Sequence, residues 1–252
     1  MTKTILPYRI ALALLALGPT LGHSQQINLL TEESYPFQFT ENKKLAGMAV
    51  EVVAEMFKRA EVPFSQEVLS WQAAYDRVQL YPNTCLYSAA RTEDRERLFK
   101  WIGPIVQNKW AVFAKKGFKG SVSKPDDLRE YRIGVLQGDA KERYLKNLAV
   151  PFRVAHSDDA AIPTKLTLNR TEPGKVDLWV TGYYSGVNFA GKSSVKDVVP
   201  VWVFEQSDNY LACYFGISKS LTDKLGVALA SMKRDGTYDV IVGRYEAKGR
   251  AK

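Results

Sequence analysis

The chain has 252 residues, 46% of them hydrophobic and 25% charged, and a formal net charge of +8 at pH 7. That balance supports a packed core and excludes a disordered polar chain. The positive charges are spread along the chain rather than run together, so nucleic acid is not an expected partner, whereas a small anionic ligand or an anionic membrane face is compatible.

At the N-terminus, Lys3 and Arg9 precede an apolar run from Ile10 to Leu17, then Gly18-Pro19-Thr20 and the small-x-small site Gly22-His23-Ser24. This is the pattern of a secretory signal peptide cut after Ser24. The run is too short, and too soon broken by Gly18 and Pro19, for a bilayer-spanning helix. No cysteine lies near the cleavage site, so the product is expected to be soluble in a periplasm-like space and not lipid-anchored. Cleavage would leave 228 residues and a charge of +6, because Lys3 and Arg9 leave with no acid. Such a length suits one large domain or two lobes of about 110 residues each.

The mature part opens with a short strand, Ile27 to Thr31, and a loop turned by Pro36. From Met48 to Ala60, Ala49, Val50, Val52, Val53, Met56 and Phe57 recur at helical spacing, with charged residues mostly opposite. A strand near Phe64 to Leu69, a helix from Trp71 to Leu80 and a strand from Thr84 to Ser88 follow. After a polar stretch from Gly117 to Ser123 the pattern restarts: a short helix at Pro125, a strand from Tyr131 to Leu136, and a helix from Lys141 to Leu148 that Asp139 is placed to cap. Then come a strand near Phe152 to Ala155, a helix from Asp158 to Leu168 and a strand from Val176 to Val180. Strand-like Val198 to Phe204 and Tyr210 to Ile217 lead into a helix capped by Ser220, which ends at Gly236 before another starts at Thr237. Alternation of this kind predicts α/β architecture with parallel strands.

Cys85 and Cys213 are the only cysteines. Export permits them to pair, and their apolar, strand-like surroundings equally suit two buried thiols. With one histidine, His156, left after cleavage, no metal site is expected, and a serine-protease-like triad would have to rest on His156 alone. In the turn after Ser88, Arg91 and Arg95 sit at a strand end, where a guanidinium's planar fork suits a carboxylate. Glu93, Asp94, Glu96 and Arg97 are interleaved with them, as on a solvated surface.

The order Tyr35-Pro-Phe, Gly47-Met-Ala-Val-Glu, Ser88-Ala-Ala-Arg-Thr-Glu-Asp-Arg, Asp127-Leu-Arg-Glu-Tyr-Arg-Ile-Gly-Val-Leu-Gln-Gly, Gly174-Lys-Val-Asp-Leu-Trp and Met232-Lys-Arg-Asp-Gly-Thr-Tyr resembles the polar amino acid type of periplasmic solute-binding protein, family 3. The resemblance implies a type II periplasmic-binding fold: two α/β lobes joined by a two-segment hinge near Trp110 to Lys116 and Gln206 to Leu211. Lobe 1 would comprise residues 25–112 and 212–252, and lobe 2 residues 113–211. It further implies a monomer that binds a small ligand without a cofactor, and a membrane permease or sensor receptor as partner.

Carried onto this chain, the resemblance makes Arg95, in Thr92-Glu-Asp-Arg95, the carboxylate ligand. Arg91 replaces a residue that is usually apolar or small, and is either a second clamp or an outward salt bridge. Ser88 is placed for a hydroxyl contact or is an ordinary strand residue. Tyr35 and Trp71 supply aromatic faces or belong to the core. The turn Gln137-Gly138-Asp139 opens a helix whose N–H groups can meet an anion, unless Asp139 caps them itself. The acid that would grip an ammonium falls at Gly182, so Glu32, Glu33 or Asp139 would have to replace it. Tyr183 and Tyr184 suggest a flatter, aromatic pocket. The reading is of a non-enzymatic receptor for a carboxylate-bearing or amino-acid-like solute. Its alternative is an enzyme on the same scaffold, like cyclohexadienyl dehydratase, with one of those acids as general acid.

Overall fold

The structure, a computed structural model, describes residues 26–195 and 197–250. The segment read as a signal peptide lies outside the described residues. In chain order the elements are β1 (Ile27–Thr31), β2 (Phe39–Glu41), β3 (Lys44–Ala46), α1 (Met48–Arg59), β4 (Phe64–Val68), α2 (Trp71–Leu80), β5 (Thr84–Ala90), β6 (Phe99–Lys115), β7 (Ile133–Leu136), α3 (Ala140–Asn147), β8 (Arg153–His156), α4 (Ile162–Lys165), β9 (Leu178–Gly182), α5 (Tyr183–Lys192), β10 (Val198–Tyr214), α6 (Lys219–Arg234) and α7 (Thr237–Arg250).

One sheet of order β4-β1-β5-β10-β6-β9-β7-β8 runs through the molecule. β1 is parallel to β4 and β5 at one end, and β7 is parallel to β8 and β9 at the other. Between them β6 and β10 form an antiparallel ribbon of two 17-residue strands that carries the chain across and back. Each parallel part has helices on both faces and its own core. In the first lobe α1, α6 and α7 cover one face over Leu29, Val53, Phe57 and Leu229, and α2 covers the other over Leu30, Val78 and Leu86. In the second, Leu128, Val135, Leu145 and Leu178 fill one face and Phe113, Ile162 and Trp179 the other.

β6 leaves the first core at Val106 and enters the second at Ala111; β10 passes from Phe204 to Leu211. Trp110 to Phe113 already pair with β9, so the passage lies a few residues before the expected Trp110–Lys116 segment. The ladder shifts register between Asn209 and Leu211, inside the passage on β10.

Several local readings differ from the sequence expectation. The helix expected from Asp158 to Leu168 is a 3-10 turn, Asp159–Ala161, followed by the four-residue α4, because Pro163 has no N–H to extend the preceding turn. Ser218, not Ser220, caps α6, accepting from the Leu221 N–H at 3.2 Å. Tyr183 and Tyr184, expected to make a flatter, aromatic pocket, open α5 and do not line the cavity between the lobes: Tyr183 packs on the second core and Tyr184 on the first. Cys85 of β5 and Cys213 of β10 lie opposite each other and form a fully buried disulfide. Among the described residues no helix is long and apolar enough to cross a membrane.

Candidate functional site

The carboxyl ends of the parallel strands from both lobes face one another, as in open α/β sheets, where ligands sit beyond those ends. β1 delivers Glu32, Glu33 and Ser34; β5 delivers Ser88 and Ala90; β7 leads to Asp139; β8 leads to Asp159; β9 delivers Thr181 and Gly182. Asn108, Trp110 and Asn209 come from the crossing ribbon. Together with Gln38, Trp71, Lys141, Ser185 and Phe189 they enclose a cavity of about 50 Å³.

The walls are tied across the cleft on both sides. The Gly138 carbonyl accepts from the Trp71 indole N–H at 3.0 Å and from Arg95 Nη2 at 2.9 Å. On the other side Ser185 Oγ lies 2.8 Å from Ser34 Oγ and donates to the Tyr35 carbonyl at 3.1 Å. Gly138 has φ +73°, a left-handed backbone conformation that favours glycine. The cleft is closed.

Three acids and one base govern its electrostatics. Asp139 caps α3, accepting from the Lys141 N–H at 2.8 Å, and pairs with Lys141 Nζ at 2.6 Å. Burial alone would raise its pKa, but Lys141, helped by the charge of Arg95, outweighs burial and holds the carboxyl below its ordinary value. Asp159 accepts from the Trp179 indole N–H at 2.8 Å and from the Thr181 hydroxyl. Burial pushes it to about 6 despite those donors. Glu32 is raised furthest, to about 8, first by burial and then by the charge of Asp139. Ser88 is held in the left-handed region at φ +64°, with its hydroxyl donating to Gln38 Oε1 at 2.7 Å. Such a backbone costs of order 1 kcal/mol and concentrates at functional positions.

Of the residues expected at a ligand, Trp71, Ser88 and Asp139 line the cavity; Arg95, Tyr35, Arg91, Gln137 and Gly138 do not. Arg95 is 4% exposed, between the rings of Trp71 and Tyr75 at 5.2 and 5.1 Å from their centroids, with Nη1 on the Ala90 carbonyl and Nη2 on that of Gly138. Arg91 faces outward, bidentate to Glu96 at 2.7 and 2.5 Å. Tyr35 packs on Phe39. Gln137 is exposed, and two of the N–H groups at this helix start are already met: that of Gly138 goes to Glu142 Oε2 at 2.7 Å and that of Lys141 to Asp139. Asp159, Lys141, Thr181, Ser185 and the two asparagines escaped sequence reading. A capping pattern at Asp158 was the one signal near Asp159, whose neighbour Asp158 accepts from the Ala160 N–H.

Solved structures share this architecture. A histidine kinase sensor domain with similarity to periplasmic binding proteins superposes with a TM-score of 0.78 at 19% identity, over 88% of this chain and 96% of that one. An ancestral arginine-binding protein bound to arginine superposes with a TM-score of 0.77 at 23% identity, over 88% and 99%. The fold is thus that of the type II periplasmic binding proteins, with the candidate site in the cleft between lobes. Residues 27–248 match the family of bacterial extracellular solute-binding proteins, family 3, and the chain belongs to that family. Relatives include the L-cystine-binding protein TcyJ of Escherichia coli strain K12, 23% identical over 82% of this chain and 76% of the relative. The probable amino-acid-binding protein YxeM of Bacillus subtilis strain 168 is 23% identical over 85% and 81%.

Proposed function

We propose that this chain is an exported receptor that closes two lobes over a small amino-acid-like solute and, once closed, presents a new surface to an ABC permease or a sensor. The observation that carries the reading is the enclosed polar cavity walled by both lobes, with bonds across the cleft on either side. A solute touching both walls favours the closed form by its differential affinity for it. The hinge is assigned to Val106–Trp110 of β6 and Phe204–Leu211 of β10, with residues 111–203 in the second lobe and the signal peptide removed in the periplasm. Trp71, Ser88 and Asp139 touch the solute, whereas Arg95 and Gly138 join the lobes beside it. Relatives named for cystine and amino acids support the ligand class, and the sensor-domain neighbour keeps both partner types in view.

Native mass spectrometry of freshly purified protein, followed by a thermal-shift screen of amino acids, amines, carboxylates and short peptides, tests the reading. A co-purifying mass that also raises the melting temperature supports it. No retained mass and no shift with any compound would sink it.

One observation favours a second reading. Glu32, protonated up to a pH of about 8 in an enclosed cleft, has the protonation state of a general acid. The fold is shared with the ancestral amino acid-binding protein AncCDT-1, a precursor of cyclohexadienyl dehydratase, at a TM-score of 0.73 and 18% identity. Against it, a dicarboxylate such as prephenate would enter a cavity lined by Glu32, Asp139 and Asp159. Turnover of prephenate or arogenate, abolished by Glu32→Gln, would establish the enzyme reading; recovery of either compound unchanged counts against it.

A further inference from the structure

If the chain is a receptor as proposed above, its cavity wall constrains the chemistry of the solute. We propose that the solute is an organic amine or guanidine, of the diamine kind, held by its cationic groups against Glu32 and Asp159 and recognised without a carboxylate.

The charges on the cavity wall favour a cation. Lys141 is the one cation that lines it among the described residues, and Asp139 sits 2.6 Å from its ammonium. Glu33, though on the rim, is exposed and turned to Thr40, accepting from its backbone N–H at 2.9 Å and from its hydroxyl. Arg95 lies behind the wall with its guanidinium on two backbone carbonyls and between two rings. An incoming carboxylate therefore has no unpaired cation to meet, and it would be buried beside acids.

A cation finds the opposite. Glu32 has no ion-pair partner among the described residues, and Asp159 is held by neutral donors only, the Trp179 indole and the Thr181 hydroxyl. Asn209, 7% exposed, lines the same cavity and bonds to no side chain or backbone group of the described residues through its amide. The rings of Trp71, Trp110 and Phe189 supply apolar and cation-attracting wall for a methylene stem. The acids do not converge as metal ligands: no group of three or more His, Cys, Asp or Glu among the described residues could hold a metal ion. The raised pKa values of Glu32 and Asp159 agree with this, since each residue is half-buried at the cavity wall and neither carboxyl has an ion-pair partner among the described residues. Lys141 lowers both, Asp139 raises both, and Arg95 lowers Glu32, and the sum still favours the proton. A bound cation would replace that proton.

Isothermal titration calorimetry on protein shown to be ligand-free by native mass spectrometry tests this with matched pairs: cadaverine against lysine, putrescine against ornithine, agmatine against arginine, and glutamate and succinate as acids. At least one amine is expected to bind as tightly as its parent amino acid or tighter, and to release protons at pH 7, read as a heat that differs between phosphate and Tris. Glu32→Gln and Asp159→Asn should each weaken that amine by about tenfold or more and reduce the proton release, while far-ultraviolet circular dichroism shows both variants folded. Amino acids binding more than tenfold tighter than all their decarboxylated partners, or binding of glutamate or succinate, would overturn the inference. So would a different solute emerging from the thermal-shift screen while every amine fails, and in that case the receptor reading stands. If nothing binds at all, it is the receptor reading that falls.

Discussion

Glu32 titrates in a direction that sets it apart from the exposed acids of the chain. Its pKa rises from 4.5 to about 8 in the folded protein, chiefly because burial penalises the carboxylate. Between those values the native form keeps a proton that the unfolded chain has lost, so this group makes the ligand-free protein less stable as pH rises through that window. Glu32→Gln is neutral throughout and escapes the penalty. The melting temperature of the variant should exceed that of the parent by a margin that widens from pH 5 to pH 8.5, with about 2–4 °C expected per kcal/mol in a chain of this size. A margin that stays flat across the range would show that Glu32 is ionised in the folded state. Glu32 was legible in the sequence as a candidate, and Asp159 was not. The resemblance puts an acid at Gly182, but a Cβ there would lie 2.8 Å from Asn108 Nδ2, an amide of the crossing ribbon. The acid comes instead from an irregular turn after β8, where no periodicity points to a face. Arg95 was visible as a guanidinium at a strand end, but sequence could not show that a backbone carbonyl from the opposite lobe would meet it.

Elements with one buried face announced themselves, and those that change surroundings did not. In α1 the buried residues Ala49, Val52, Val53, Met56 and Phe57 follow helical spacing because one face meets one core throughout. β6 and β10 instead pass from one core to another over 17 residues each, so their inward positions change partners midway and polar Gln107, Asn108, Asp208 and Asn209 fall at the crossing. Alternation breaks there, and each strand reads as fragments. The disulfide fastens this ribbon to the parallel part of the first lobe, joining β10 to β5 across a sequence separation of 128 residues. Closing a loop of that order restricts the unfolded chain by about 5 kcal/mol in the entropic account, with about 2–5 kcal/mol typical on removal. Replacing Cys85 and Cys213 together by serine should lower the unfolding free energy by about that amount in urea titrations. Addition of a reductant to the native parent should change little until unfolding begins, because both sulfurs are buried. A double variant as stable as the parent would mean that the bond adds nothing beyond packing.

At the scale of the molecule, closure is governed by a small number of bonds of unequal worth. The Arg143–Asp94 ion pair spans the cleft at 3.3 Å, but it is largely exposed and contributes little. The Gly138 carbonyl, accepting from both Trp71 and Arg95 at a part-buried position, is the stronger tie. On the receptor reading these bonds form only when the lobes close, so losing one should raise the free energy of the closed form and leave an open form untouched. Trp71→Phe removes the indole N–H while keeping a ring beside Arg95 and the cavity. The loss should be about 1 kcal/mol, as for a typical hydrogen bond, and it falls on the escape of solute rather than on encounter. With whichever solute the screen identifies, stopped-flow measurement should find the dissociation rate raised about fivefold and the association rate within twofold of the parent. An unchanged dissociation rate would show that the tie to Gly138 forms independently of solute. A slowed association rate would place Trp71 on the entry path instead of the latch.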